Sequence, residues 1–457
     1  MLPSSIRRWL PALAALAVVA CDTSQAPQRA AVSAANPTPA AAASPPWQVD
    51  DWPLPVDGGA QPDLIATPDG GLLLSWIESR EGLHALKFAQ ADANGRWRGA
   101  PRTVAHGRDW FVNWADTPHL AMAADGALWA HWLRKSGAAP YAYDVVLVRS
   151  ADGGAHWSAP LAVNDDGTAT EHGFVSLWAE GADAMRVAWL DGRASGKGEG
   201  HGEHAGHGGA MTLRSVRFGA DLKRSGEAVL DTRTCDCCQT DAVATARGAL
   251  LVYRDRGEQE VRDIAATRLV DGAWTPPQPV HGDGWVMPGC PVNGPAVAAQ
   301  GDRALVAWYT GAGEAPSVRV AASADGGERF GAPLILDRGE AVQGRVDLAL
   351  DADQAWVLWL REDRDGQRLQ LARLAPDLAQ ERQRLNLAQV RGRGRGTGFP
   401  QLALAGGRAY AVWTDLVDGR ARLRGAWVQP EATVRSKGES NIAAGAITGS
   451  SSGTRLP

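Results

Sequence analysis

Lysine is scarce in this 457-residue chain and no basic stripe runs along it. The electrostatic footprint of a nucleic-acid binder is therefore missing, and no nucleic-acid partner is expected. The apolar run near the N-terminus is too short to cross a bilayer as a helix. Residues 22 to 46 and 431 to 457 contain almost no large apolar side chains, so neither segment can bury enough surface to fold. Cysteine is also rare, with five in all.

What is present divides the chain. The opening stretch "MLPSSIRRWLPALAALAVVAC" sets Arg7 and Arg8 before a short apolar run that ends Val18-Val19-Ala20-Cys21, the order of a secretion signal. Its last four residues resemble the lipobox of bacterial lipoproteins. That resemblance implies lipidation of Cys21, attachment to the membrane through the lipid, and a place in the bacterial cell envelope, periplasmic or at the cell surface. An ordinary signal peptide with a chance cysteine is the alternative. The expected organisation is 1–21 signal, 22–46 tether, 47–430 folded domain and 431–457 tail. Without Cys21 the cysteines number four, which in an exported chain makes disulfides the default expectation.

A repeated unit organises residues 47–430. Each copy is an apolar strand, a tight turn and a second strand closed by an aromatic residue: Trp76, Trp132, Trp189, Tyr253, Trp308, Trp359 and Trp413, spaced 51 to 64 residues apart. A third strand such as "YDVVLVRS" and a fourth such as "APLAV" follow. Four short strands per unit predict an all-β, seven-bladed β-propeller. The seventh unit lacks a fourth strand, and the N-terminal segment "WQVDDWPLP" is expected to supply it. A six-bladed ring with one degenerate unit is the alternative.

Two turns, "SADGGAHW" (Ser150 to Trp157) and "SADGGERF" (Ser323 to Phe330), resemble the Asp-box, or BNR repeat, of the sialidase superfamily. The resemblance covers nearly all of the repeat region and implies a sialidase-like propeller, though fold alone assigns no activity. That superfamily binds its substrate's carboxylate with three Arg and uses a Tyr activated by a Glu, plus an Asp acid. The family's N-terminal Arg-Ile-Pro motif is missing here.

In such blades the first strand begins and the second ends on one face, which collects the candidate residues. Behind the aromatic ends lie Arg80, Asp191 and Arg193, Arg254, Asp255 and Arg256, and Arg361; lead-in loops add Trp114, Glu171, Trp285, Asn293 and Arg345. Guanidinium forks suit a carboxylate, exposed Trp suits sugar rings, and paired carboxyls suit acid–base work. Asp191, Asp255, Tyr253 and Glu171 are thus the catalytic candidates, and the Arg, Trp and Asn residues the substrate-binding ones. Pairing of the same Arg between blades, as frame rather than site, is an equal reading. An exo-sialidase-like glycoside hydrolase acting on an acidic glycan, as a monomer without a cofactor, is the first expectation; a noncatalytic glycan or protein recognition propeller is the second.

The stretch "RTCDCCQTDA" carries Cys235, Cys237 and Cys238 in the loop leading into blade four, and Cys290 lies in the loop leading into blade five. The repeat makes them spatial neighbours. Two disulfides, with Cys290 joined to Cys237 or Cys238, are the first reading. Copper or zinc is another, with Met287 and the tract His201, His204 and His207 as further ligands, which gives a metal-handling envelope protein as the third expectation. A redox-active thiol pair also stands open. The chain resembles bacterial lipoproteins described as sialidase-like, in which "CDCCQTDA" and "GCPVNGPA" segments occur together.

Overall fold

A computed structural model describes residues 47–56, 58–195 and 210–430. Cys21 and the three histidines His201, His204 and His207 lie outside the described residues.

Seven antiparallel sheets form the ring. Blade one consists of Ala60–Ala66, Leu72–Arg80, Leu83–Ala91 and Arg102–Gly107, and blade two of Leu120–Met122, Leu128–Lys135, Tyr143–Ser150 and Leu161–Ala162. Blade three runs His172–Glu180, Ala184–Asp191, Met211–Phe218 and Arg224–Thr234; blade four begins Asp241–Thr245, Gly248–Arg254 and Ile264–Val270. Blades five and six start with Ala296–Gln300 and Val342–Leu350 and keep the same four-strand order. The outer strand of blade four is broken into Ala273–Trp274 and Gln278–Pro279, both paired with Ile264–Val270. Pro276 and Pro277 separate the two pieces, and proline has no N–H to give to a ladder.

Seven blades, not six, close the circle. Blade seven contains Gln401–Ala405, Arg408–Val417 and Arg420–Pro430, and its outer strand is the N-terminal segment Trp47–Asp51, with Trp47 opposite Pro430 and Asp51 opposite Ala426.

The core is divided among the boundaries. Each of seven apolar clusters joins one blade to the next, as when Leu73 and Phe88 of blade one meet Leu128 and Val146 of blade two. All seven aromatic strand ends are buried in these clusters. Near the axis, backbone amides of one blade donate to a carboxylate of the one before: Leu120 to Asp63 at 3.0 Å, Val297 to Asp241 at 2.7 Å, and Leu402 to Asp347. The blades are thereby joined by side chains where no backbone ladder crosses.

The two quoted turns have equivalent geometry. Ser150 Oγ accepts the Gly154 amide at 2.8 Å and donates to Asp152, whose carboxylate accepts the His156 amide at 2.9 Å. Ser323, Gly327, Asp325 and Arg329 repeat the pattern. Gly154 has φ +90° and lies so close to Phe88 of blade one that a Cβ would fall 2.3 Å from the ring. The turn of one blade thus seats on its predecessor.

Candidate functional site

On the face where second strands end, the loops leading into blades two and three bring together a tyrosine and two carboxyls. Tyr143 begins the third strand of blade two. Its hydroxyl lies 2.8 Å from Glu171 Oε1 and 3.2 Å from Asp116 Oδ2, sharing its single proton between them. The two carboxyl oxygens are therefore no more than about 6 Å apart. Phe111 stacks on the Tyr143 ring with centroids 4.0 Å apart. Asp116 also accepts the Phe174 amide at 2.8 Å. It fits only because residue 173 is Gly, where a Cβ would meet the carboxylate at 2.0 Å.

Tyr143 and Asp116 are buried, whereas Glu171 keeps partial access to solvent. Burial pushes Asp116 up to about 7 against the bonds from Phe174 and Tyr143. Burial pushes Glu171 up to about 8, helped by the charges of Asp116, Asp236 and Cys290 and opposed by the Tyr143 hydrogen bond. Glu171 is therefore a protonated acid at neutral pH.

The other catalytic candidates lie elsewhere. Asp191 is fully buried, accepting Trp189 Nε1 at 2.9 Å and both Arg193 Nε and Nη2 at 2.8 and 2.7 Å. Next to it His172 Nδ1 lies 3.0 Å from the Tyr143 carbonyl and Nε2 lies 3.1 Å from Asp166. Asp166, His172 and Asp191 present ligand-type atoms within 4.8 Å of one another, but the Arg193 guanidinium already supplies positive charge there. Tyr253 is buried and donates to Asp231 of blade three. Asp255 is half-buried, and burial followed by the nearby charges of Asp231 and Asp263 raises it.

The arginines divide sharply. Arg254 is buried and donates to the carbonyls of Asn293, Arg262 and Tyr309, with its guanidinium 4.9 Å from the centre of the Trp285 ring. Arg345 donates to Thr397 Oγ1 and to the Gly398 and Gly394 carbonyls, each at 2.9 Å, and lies 4.9 Å from the Trp114 ring centre. Arg256 binds Glu260 and Asp236, Arg361 binds Asp337 and Arg193 binds Asp191. Of the six, Arg80 alone has a largely exposed side chain, 3.7 Å from Glu81. Asn293 accepts the Arg345 amide at 2.7 Å, so it too holds one blade to the next.

The cysteines converge as the repeat requires. Cys235 Sγ lies 3.1 Å from Cys238 Sγ and 4.0 Å from Cys237 Sγ, and all three sulfurs lie within 4.8 Å of one another. Cys290 lies on the Cys237 side of this group but outside it. All four are free thiols, and no disulfide joins them. Burial alone would raise the Cys235 thiol, but hydrogen bonds from Cys237 and Cys238 and the charge of Arg262 hold it well below the usual range. Burial, then the bond to Cys235, pushes Cys238 up. Met287 is anchored beside them, its amide donating to Glu260 O at 2.9 Å and its carbonyl accepting Arg262 Nε at 3.2 Å.

Sequence reasoning missed Tyr143 and Arg262. Tyr143 had one available signal: a third strand begins on the face where the second ends, and this one begins with one of only five tyrosines. Arg262 carried none.

No family model matches the sequence, and no curated protein is a significant match. Among solved structures, the chain is similar to the polysaccharide lyase Uly1 (8% identity, TM-score 0.48, covering 81% of this chain and 89% of that one). It is also similar to the phage phi92 endosialidase (10%, 0.46, 87% and 71%) and to the NanB sialidase from Streptococcus pneumoniae (10%, 0.42, 82% and 70%). At these values no activity passes from them to this chain.

Proposed function

We propose that this protein is a glycan-acting propeller of glycoside hydrolase type, held as a monomer at the bacterial envelope through Cys21, with Glu171 as its general acid. The observation that carries this reading is the Tyr143 hydroxyl shared between Glu171 and Asp116 on the face of the ring. A tyrosine paired with a glutamate, with an aspartate beside it, is the residue set that the sialidase resemblance implies. It occurs at Tyr143 rather than Tyr253. In the proposed step the glycosidic C–O bond breaks as Glu171 gives its proton to the leaving oxygen. Water supplies the hydroxyl to the sugar and returns a proton to Glu171. Asp116 and burial keep Glu171 protonated near neutral pH, where an acid of this task must work.

The commitment of Arg193, Arg254, Arg256, Arg345 and Arg361 to internal partners bears on the substrate. An acidic glycan would have to be held without the three-arginine clamp of sialidases, so a test panel needs both neutral and acidic sugars. Purified protein lacking residues 1–46 is expected to hydrolyse at least one aryl glycoside of such a panel, with Glu171→Gln lowering kcat/KM by about 10²–10⁴-fold. Equal turnover by wild type and Glu171→Gln, or binding of glycans without turnover by wild type, would count against hydrolysis. Lipid labelling in cells, lost in Cys21→Ser, tests the anchor.

A further inference from the structure

We propose that Cys235, Cys237, Cys238 and Cys290 form a four-sulfur site for one thiophilic d10 cation, zinc(II) or copper(I), on the face of the ring where blades four and five meet. The proposal uses different side chains from the glycan reading.

Spacing is the first support. A tetrahedral ion bound at about 2.3 Å sets its sulfurs about 3.8 Å apart; Cys235 lies 3.1 and 4.0 Å from Cys238 and Cys237, which form the three-sulfur group, and Cys290, outside that group, would move in as the fourth ligand. Two of the thiols, Cys235 and Cys238, are buried, Cys237 is half-buried and Cys290 is exposed, which leaves one side of the cluster open to an arriving ion. The Cys235 amide donates to the Arg254 carbonyl at 3.0 Å, tying the cluster to the last residue of a blade-four strand. Cys235 is therefore held to the frame of blade four.

Charge is the second. A cation bound by four thiolates leaves a net negative site, which needs positive neighbours. Arg262 lies within charge range of Cys235 and Arg254 of Cys238, and Arg256 binds Asp236 within the motif itself; Arg256 and Arg262 share Glu260 as a further partner, which leaves Arg262 Nη1 to meet the sulfurs. Arg262 is 2% exposed and its Nη1 has no hydrogen-bond partner among the described residues. A buried guanidinium nitrogen without a partner is unfavourable, and a cluster of thiolates would accept from it.

Loading converts thiols to thiolates and releases their protons to solvent, so binding strengthens as pH rises. The test uses reduced, tag-free protein with the three histidines of the tract at 201–207 both intact and replaced (His201→Ala, His204→Ala, His207→Ala). Zinc(II) and copper(I) are titrated separately against chromophoric competitors, and thiol alkylation is followed with and without the ion. One ion per chain is expected, unchanged by the histidine replacements, with the four thiols protected from alkylation. The tighter of the two arms identifies the cation. Each single Cys→Ser change is expected to weaken binding by more than about 100-fold, and Arg262→Met by about 10–100-fold, with circular dichroism unchanged. Thiol protection is read on the wild type, so a variant that misfolds does not block the test. An ion that follows the histidines, or thiols that alkylate equally fast with and without it, overturns the proposal. So does a reduced protein that binds neither cation and reoxidises to Cys235–Cys238 and Cys237–Cys290 disulfides.

Discussion

Asp241 accepts the backbone amide of Val297 at 2.7 Å across the boundary between blades four and five. Asp63 and Asp347 do the same for Leu120 and Leu402. An Ala at position 241 would leave that amide without its acceptor, and Asp241→Ala is expected to cost about 1–3 kcal/mol in urea denaturation. Asp241→Asn keeps an accepting oxygen and removes the charge, so at pH 8 it should be at least as stable as wild type.

The pH dependence of stability follows from the same buried carboxyls. Burial raises Asp241 to about 6, Asp116 to about 7 and Glu171 to about 8. Each is therefore protonated in the native state at pH values where the unfolded chain has already lost the proton, near 4. The native state binds more protons between about pH 4 and 8, so stability falls as pH rises through that window and levels off above it. Asp69 works in the opposite sense: hydrogen bonds from Thr67 and Arg98 lower it to about 2, and its contribution is lost only in stronger acid. Thermal unfolding should show a maximum near pH 4–5, and Asp241→Asn should flatten the decline between about pH 4 and 6.

Tyr143→Phe removes the hydrogen bond that opposes the rise of Glu171. The Glu171 carboxyl should then titrate higher than in wild type, and the basic limb of any pH–rate profile should move to higher pH with it. Carbon NMR of labelled glutamate follows the first effect, and an unchanged Glu171 titration would show that the Tyr143 bond does not form in solution.

Arg345 reaches Thr397 and two carbonyls with one planar fork and lies against Trp114. Lysine cannot match that set of acceptors from one side chain. Arg345→Lys is expected to lose about 2–4 kcal/mol, two or more charge-assisted bonds at about 1.5–3 kcal/mol each with partial recovery by water. If its urea midpoint equals that of wild type, the guanidinium does not hold blade six to blade seven.

Gly154→Ala tests the seating of one blade's turn on the blade before it. The added methyl would lie 2.3 Å from Phe88 at a backbone φ of +90°, so strain and overpacking add. A loss of about 2–4 kcal/mol is expected, most of it recovered if Phe88→Leu is introduced as well.

The sequence made the ring legible and the site only partly so. Spaced aromatic ends and alternating strands are local signals, and so is a seventh unit that runs out of strands, which is why Trp47–Asp51 as the closing strand was readable. Neighbouring cysteines in successive lead-in loops followed from the repeat. The arginines did not follow, because the partners that occupy Arg254 are backbone carbonyls of Asn293 and Tyr309, and every residue type carries a carbonyl. Tyr143 was hidden for a related reason: its partners Asp116 and Glu171 are contributed by two different loops, and nothing in "YDVVLVRS" signals them. The broken outer strand of blade four was written in its prolines and cost the ring nothing, since outer strands carry the least of the core.

Because Trp47 pairs with Pro430 at one end of an antiparallel pair, a pull applied between these two residues acts across a single end of that pair. The hydrogen bonds would then break one after another, as in a zipper, instead of together as in shear. A ring that resists heat collectively would open mechanically at one seam, at low force, and blade seven would part before any other.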